Sequence, residues 1–556
     1  MRRNIDGFSN TEFDLLVIGS GIYGAVLAWD AVLRGLKVAL IDKGDFGGAT
    51  SANSLKIVHG GLRYLQQLDF KRMRESIRER TNFMKIAPHL VHPLSCVMPT
   101  YGHTMKGKEV MFFGLLLNDI VSFDRNRLKD PEKAIPMGKV ISKNRCLDIL
   151  PGIDPSGVTG GAVWTDAQVY NSERFVLSFI LSAVEADAVA ANYVKVTDFL
   201  KRGEIVQGVK ALDILSNTPL EIRTKMVVNT TGGWVDEVLN KTDSASKRIR
   251  LSTALNLIVN RQLLSDYAAG VTARYRYQRN NDKVYEGRHV LFMTPWRHVT
   301  LVGTYHQPFH GHPDTMRVTE EDIQSFLKEV NSAYPGGSIH RDEVSFFYKG
   351  FLPMEGIHSK SGEVVLTKHY RICDHQQEDG LEGLISVIGV KFTTARDVAE
   401  RTLNVVFKKL GQKSPPCRTQ STNLTGGDIE EFTPFLADAL NGRMHHLSQS
   451  VMRHLAYSYG SNYPKIIKYG QEDKEYLKTV PGSSEVVLAE VIHAVRKEMA
   501  VKLSDIILRR TDLGSGGHPG DKAIKGCAKA MARELGWSST RMRTEISELE
   551  EIYKTA

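Results

Sequence analysis

Phe13-Asp14-Leu15-Leu16-Val17-Ile18-Gly19-Ser20-Gly21-Ile22-Tyr23-Gly24 is the stretch that decides the fold. Its first six residues form an apolar run rich in strand formers, which breaks at a glycine turn. Apolar residues then recur at helical spacing over 22–34, Gly35 closes that helix, and 37–41 (KVALI) reads as a second buried strand. Strand, glycine turn, helix and strand make a βαβ unit whose two strands are parallel neighbours. Each glycine has its own task. Gly19 permits the tight turn, Gly21 lets backbone approach a pyrophosphate, and Gly24 lets helix and strand pack closely. The helix N-terminus adds N–H donors and a partial positive charge. Asp42 follows at the end of the second strand, where a carboxylate accepts both ribose hydroxyls and disfavours a 2′-phosphate. A glycine pattern alone could be a chance turn. With both strands, helix and acid in place it reads as a dinucleotide site, for FAD or NAD, without choosing between them.

Working outward, 69–86 is a charged helix with an exposed face, and 172–186 is a helix followed by a strand over 189–196. Val227-Val228-Asn229 runs into a glycine turn at 230–234. Between about 250 and 350 the pattern changes to short strands with aromatics, such as 289–293 (HVLFM) and 298–303 (HVTLVG), which predict an antiparallel sheet. A buried strand at 385–388 precedes Gly389 and a helix over 394–410. Lys413-Ser414-Pro415-Pro416 is a linker, and 428–440, 447–459, 484–510 and 519–553 read as helices. The expected fold is α/β: a discontinuous Rossmann-like nucleotide-binding domain (1–80, 155–250 and 350–412), an inserted antiparallel-sheet substrate or cap region (81–154 and 251–349), and an all-helical C-terminal domain (417–556).

Of the 556 residues, 42% are apolar and 24% charged, the composition of a globular protein with several cores. The formal charge of +9 permits contact with anionic lipid or a phosphorylated substrate; nothing in the pattern points to nucleic acid. Five scattered cysteines form no Cys-x-x-Cys pair, which argues against a zinc ribbon or dithiol centre and fits a reducing cytoplasm. No apolar stretch is long enough to span a bilayer. The longest, 110–117 (VMFFGLLL), is expected to be a buried helix; Lys106 and Lys108 beside it keep an interfacial membrane contact in view. The expected location is cytoplasmic, with a peripheral place on the inner face of the membrane as the alternative.

The segment 50–64 carries hydroxyls, an amide, a lysine and paired glycines directly after the second strand. It suits a loop laid along a pyrophosphate and an isoalloxazine edge, and equally a polar loop capping the next helix. GSGIYGA (19–25), ATSANSLKIVHGGLRYL (49–65), VVNTTGGWV (227–235) and VIGVKFTTARDVAE (387–400) occur in that order, with LSDIILRRT (503–511) near the end. Together they resemble the FAD-dependent glycerol-3-phosphate dehydrogenases of the D-amino-acid-oxidase-like superfamily. The resemblance implies an enzyme in which FAD takes a hydride from a secondary alcohol and passes electrons to a quinone, oxygen or another acceptor. It implies FAD contacts from Gly19, Gly21, Gly24, Asp42, Lys43, Thr50, Ser51, Ser54, Lys56, Gly60, Gly61, Val196 and Gly232. Gly389, Lys391 and Thr393 then flank the isoalloxazine, where the Lys391 cation suits the anionic reduced ring.

The substrate side departs from the family pattern. Leu352 stands where the family has an arginine in Gly350-Phe351-Leu352-Pro353, and a threonine–arginine–aspartate phrase reads Thr367-Lys368-His369. Asn256 aligns with a family histidine, and a glycine–threonine–threonine–aspartate turn reads Gly303-Thr304-Tyr305-His306. Arg63 and Tyr64 remain. Arg63 is therefore expected to orient the substrate with Tyr64, Asn256 and Lys368, and His306 to act as the base. His310 and His312 alternate with His306, but no further ligand set accompanies them, so no metal is expected. These departures make glycerol 3-phosphate an expectedly poor substrate. They leave open a paralogue acting on another polyol, hydroxy acid or amine, a catalytically silent flavoprotein, and a homo-oligomer.

Overall fold

The strand Phe13–Ile18 lies between two parallel neighbours, Val38–Ile41 and the end of Thr218–Asn229. The structure is a computed structural model that describes all residues except 2, 103–106, 243–248, 279–283, 359–362, 443–446 and 556. The first sheet runs in the order Arg371–Asp374, Leu384–Ile388, Thr218–Asn229, Phe13–Ile18, Val38–Ile41, Val189–Ala191. All these pairings are parallel except that of Arg371–Asp374 with Leu384–Ile388. Helices Ile22–Leu33, Ser172–Glu185 and Ala395–Lys409 bury Trp29, Phe175, Phe179, Leu403 and Phe407 in one core against this sheet. Each such side chain contributes about 1.5–3 kcal/mol when fully buried. The strand expected over 189–196 is broken in two. Tyr193 adopts φ 58° so that its N–H reaches Gly44 O while Val194 N–H reaches Asp42 O. The break docks this segment on the loop that follows the second strand.

The larger sheet is mostly antiparallel, as the aromatic short-strand pattern predicts, and includes Arg250–Val259, Val284–Trp296, Val299–Phe309 and Val344–Ile357. Two of its strands cross the boundaries expected from sequence. Val158–Val169 pairs with Val91–Tyr101 in this sheet, although it falls in the segment expected to bind nucleotide. Val344–Ile357 runs through the expected boundary at 350, its Val344 to Met354 part paired with Arg250–Val259. Both strands alternate or run on as continuous ladders, and a ladder has no reason to stop at a motif. The described residues beyond 417 are helices and turns with one isolated bridge, Thr479 to Val487. A buried bidentate pair, Arg174 with Glu498 at 2.9 Å, joins them to helix Ser172–Glu185.

The 110–117 run corrects the expectation of a buried helix. It forms helix Lys108–Val121, but only Leu115 and Asp119 are buried there. Leu115 packs into the sheet region beside Trp164 and Ala162. The other apolar side chains have no comparable cover: Phe113 is 67%, Ile120 61% and the following Phe123 73% exposed. Lys106 lies outside the described residues. No helix among the described residues is long and apolar enough to cross a membrane.

Candidate functional site

The glycine turn makes a cradle that side chains would fill. Gly19 has φ +96°, and a Cβ on Gly24 would lie 1.8 Å from Gly19 O and 2.6 Å from Thr230 Oγ1. Above Gly21 a Cβ would meet only Ser51 Oγ, at 3.2 Å. That hydroxyl accepts the Ile22 N–H at 2.9 Å and so sits at the positive end of the helix. Asp42 accepts from Ser20 N–H and Oγ, both 2.7 Å, and from Gly44 N–H at 2.8 Å. Burial raises its pKa, against those bonds. A carboxylate offers about four acceptor positions, so one remains for a ribose hydroxyl. Bare backbone, helix-terminal N–H groups and a fixed carboxylate fit the adenosine diphosphate part of FAD.

At the other end Tyr23, on the same helix, fixes the 389–391 turn. Its hydroxyl donates to Lys391 O at 2.6 Å and accepts from Lys391 and Val390 N–H at 3.1 and 3.2 Å. A Cβ on Gly389 would lie 2.1 Å from the Tyr23 ring, so that position too requires glycine. Lys391 Nζ lies 3.9 Å from the centre of the Tyr64 ring, and the Arg72 guanidinium 4.7 Å from it. Burial first, and then the Arg72 charge, pushes Lys391 down to about 8, with Arg63 adding to the effect. Arg63 is exposed on the short helix Leu62–Gln67, whose N-cap Gly61 has φ 87°. Three cations thus gather around one tyrosine.

His59 lies beside them. Its N–H donates to Thr393 Oγ1 at 3.2 Å, and its Nδ1 is 3.1 Å from Asp166 Oδ2. Asp166 also accepts from Gly60 N–H at 2.6 Å and Trp164 Nε1 at 3.2 Å; despite its burial, His59 and Arg80 hold its pKa below the ordinary value. The imidazole is half exposed and meets Phe292 edge-on. A carboxylate on Nδ1 fixes the tautomer and leaves Nε2 to accept a proton.

The FAD dependent oxidoreductase family model matches residues 14–381, and the model for the C-terminal domain of alpha-glycerophosphate oxidase matches 417–542. A glycerol-3-phosphate dehydrogenase of Synechocystis sp. is 32% identical over 99% of this chain and 98% of its own. The human mitochondrial glycerol-3-phosphate dehydrogenase is 31% identical over 97% of this chain and 72% of its own. The solved glycerol-3-phosphate dehydrogenase of Bacillus halodurans, complexed with FAD, superposes with TM-score 0.76 at 26% identity, covering 99% of this chain and 96% of that one. The chain belongs to the FAD-dependent glycerol-3-phosphate dehydrogenase family. It is a flavin-dependent oxidoreductase with FAD as cofactor.

Several residues expected at the family's site are placed differently. The Lys56 ammonium is buried on Glu173 at 2.9 Å and Ser172 at 2.8 Å, over the Trp296 and Tyr348 rings. It anchors the loop from behind, because a buried cation needs that partner. Lys43 pairs with Asp314 and Glu237 over the Trp234 ring. It thereby sits among Glu237, His312 and Asp314, whose ligand atoms lie within 4.8 Å of one another. His310 is exposed nearby. Thr50 Oγ1 accepts Phe351 N–H at 2.9 Å, and Ser54 Oγ accepts Lys56 N–H at 3.1 Å, so both shape the loop. Gly60 is bare because a Cβ would lie 2.3 Å from Arg80 Nη1. Val196 is buried in the core under the first sheet, and Gly232 has φ 58° in the turn after Asn229.

On the substrate side, His306 Nδ1 lies 3.2 Å from Thr253 O, and burial pushes its pKa down to about 4. That makes it too weak a base for chemistry near neutrality, in contrast to the expectation. Asn256 is also committed, donating to Asn53 O at 3.2 Å and accepting from Thr304 Oγ1 at 2.8 Å. Lys368 is exposed, and its carbonyl accepts from Arg72 Nη1 at 3.2 Å. Leu352 lies two residues beyond Gly350, where a Cβ would come within 2.9 Å of Thr50 Oγ1, so it shares the face of the strand that meets the loop. The sequence reading missed Tyr23, His59, Arg72 and Asp166. Arg72 stood in a run of charges read only as an exposed helix face.

Lys391 supplies a test. As an ammonium with a pKa of about 8, it is charged below that pH and neutral above it. If its charge serves turnover, kcat/KM falls by about tenfold per pH unit above pH 8. Lys391→Arg, which stays protonated, moves that fall beyond pH 10; an alkaline limb identical in both enzymes excludes Lys391 as its source.

Proposed function

We propose that the chain oxidises a secondary alcohol bearing an anionic group, glycerol 3-phosphate or a close relative, with His59 as the general base. The observation that supports this reading is the set of Arg63, Arg72 and Lys391 around Tyr64, beside the His59–Asp166 pair. Arg72 is paired with Asp69 through Nε at 2.5 Å, yet three cations about one ring exceed that carboxylate, and arginines grip a phosphate or carboxylate through paired N–H donors. Bound FAD supplies the acceptor for the hydride leaving the carbinol carbon. Arg63 and Arg72 hold the anionic end, and His59 Nε2 takes the hydroxyl proton as the carbonyl forms. Asp166 orients the ring and stabilises the imidazolium. Leu352 supplies no charge where the family has arginine, so the grip is weaker than in those relatives. The chain then passes its electrons to a quinone, oxygen or another acceptor.

The reading includes a peripheral bilayer contact through Lys108–Val121 and the exposed Phe123, Leu68 and Phe70. Between 106 and 145 nine Lys and Arg oppose five Asp and Glu, and Lys108, Arg127, Lys139 and Lys143 are exposed. Apolar side chains framed by cations suit an interface of anionic lipid.

Two variants assayed with an artificial acceptor test the chemistry. His59→Gln lowers kcat by about 10²–10⁴-fold with flavin content unchanged. Leu352→Arg raises kcat/KM for glycerol 3-phosphate by roughly tenfold or more, one charge-assisted hydrogen bond being worth about 1.5–3 kcal/mol. Full activity in His59→Gln removes the base assignment, and an unchanged Leu352→Arg removes the weakened-grip argument. For the bilayer, the protein co-sediments with vesicles containing anionic lipid, and Phe113→Asp with Ile120→Asp abolishes this; equal sedimentation of both proteins refutes the contact.

A further inference from the structure

Asp45 is three residues beyond the adenosine-site Asp42, and two consecutive arginines from the far end of the chain converge on it. Arg510 Nη1 and Nη2 donate to its two oxygens at 2.7 and 2.8 Å, and Arg509 Nε donates at 2.5 Å. Asn192 Nδ2 adds a fourth bond at 2.9 Å. The arginines hold the Asp45 carboxyl far below the ordinary range, despite its burial. Asp505 balances the second cation, accepting Arg509 Nη2 at 2.8 Å. The same carboxylate accepts the Tyr193 hydroxyl at 2.5 Å, and the Tyr193 N–H donates to Gly44 O. The network therefore leaves the C-terminal helices, enters the 42–48 loop at two points and closes on itself.

Local backbone explains how adjacent residues reach one carboxylate. Ile506–Arg510 is a π-helical turn. Its wider winding brings successive side chains closer in direction than the 3.6-residue turn of an α-helix does, and such turns are rare and concentrated at functional sites.

We propose that residues 503–511 act as a clasp on the adenosine end of the flavin site, with Arg509 and Arg510 as positioning residues that act through Asp45. The loop they hold has no helix or strand of its own between Ile41 and Ile57. It presents the Gly44 N–H that orients Asp42, the Gly47 N–H that bonds Ser20 O at 3.2 Å, and Ser51 at the helix N-terminus. A buried carboxylate deprived of its cations is strongly destabilising, so loss of the arginines forces this loop to rearrange. Asp42 and Ser51 then lose their settings. Because linkage is reciprocal, bound FAD in turn holds the C-terminal helices in place. The Arg174–Glu498 pair fastens the same helices to Ser172–Glu185; it meets the clasp through the Arg510 carbonyl, which accepts Arg174 Nη1 at 3.2 Å, and does not touch the loop or Asp45. This inference rests on the nucleotide site, and not on the substrate or base assigned above.

The test uses flavin dissociation from the holoenzyme, read by recovery of FAD fluorescence on dilution. Arg510→Met and Asp45→Asn weaken FAD retention by about tenfold or more, and Arg510→Lys, which keeps the charge and loses the fork, recovers part of it. Arg174→Met lowers the melting temperature but holds FAD within about threefold of the parent. Equal loss of FAD in Arg174→Met and Arg510→Met, or no loss in either, overturns the proposal. Hydrogen exchange on the unaltered protein gives an independent reading should a variant not fold. Removing FAD speeds exchange across 503–511 relative to 521–535, and unchanged exchange there overturns the proposal as well.

Discussion

The loop from Asp42 to Gly61 must be held rigid with almost no secondary structure of its own. Only Ile57–Val58 joins a sheet. Buried backbone N–H groups that find no ladder must find side chains or turns, because leaving them unmade costs about 1–3 kcal/mol each. Here the partners come from every part of the chain. Asp42 takes Gly44 N–H, Thr393 takes His59 N–H, Asp166 takes Gly60 N–H, and Thr50 is bonded to Phe351. Lys56, at φ 58°, drives its ammonium into a buried pair with Glu173. The cofactor site thus depends on the packing of both sheets and of the C-terminal helices.

That dependence decides what the sequence reveals. The glycine turn and its helix are legible because strand run, turn and helical period all act within 30 residues. Asp42 is legible for the same reason. Arg72, Asp166 and Tyr23 act through contacts roughly 100 to 370 positions away or through a ring packed from another element, and no local pattern marks them. His306 shows the converse error. Its side chain has the right chemistry, but burial lowers its pKa in spite of the Thr253 carbonyl it meets, and that burial is not written in the residues around it. The 110–117 run failed similarly, since apolar character says that a face seeks cover without saying whether the fold provides it.

The same short region joins chemistry to surface. The helix Leu62–Gln67 carries Arg63 and Tyr64 and packs on Lys108–Val121, whose apolar side is open. Leu68 and Phe70 continue that open surface directly from the substrate segment. An interface formed there lies against the element that holds the substrate anion. Burial, and then the charges of Arg72 and Arg63, depress Lys391, and a bound anion offsets both effects.

The central claim is that this cation group selects the substrate, and anaerobic flavin bleaching at a single turnover measures it directly. The holoenzyme is mixed with glycerol 3-phosphate or with glycerol, and loss of the flavin absorption is followed against concentration. The account predicts saturable bleaching by the phosphorylated alcohol at far lower concentration than by the neutral one, with the difference shrinking in Arg72→Met. Equal bleaching by both alcohols, or a preference that survives unchanged in Arg72→Met and Arg63→Met, would contradict it.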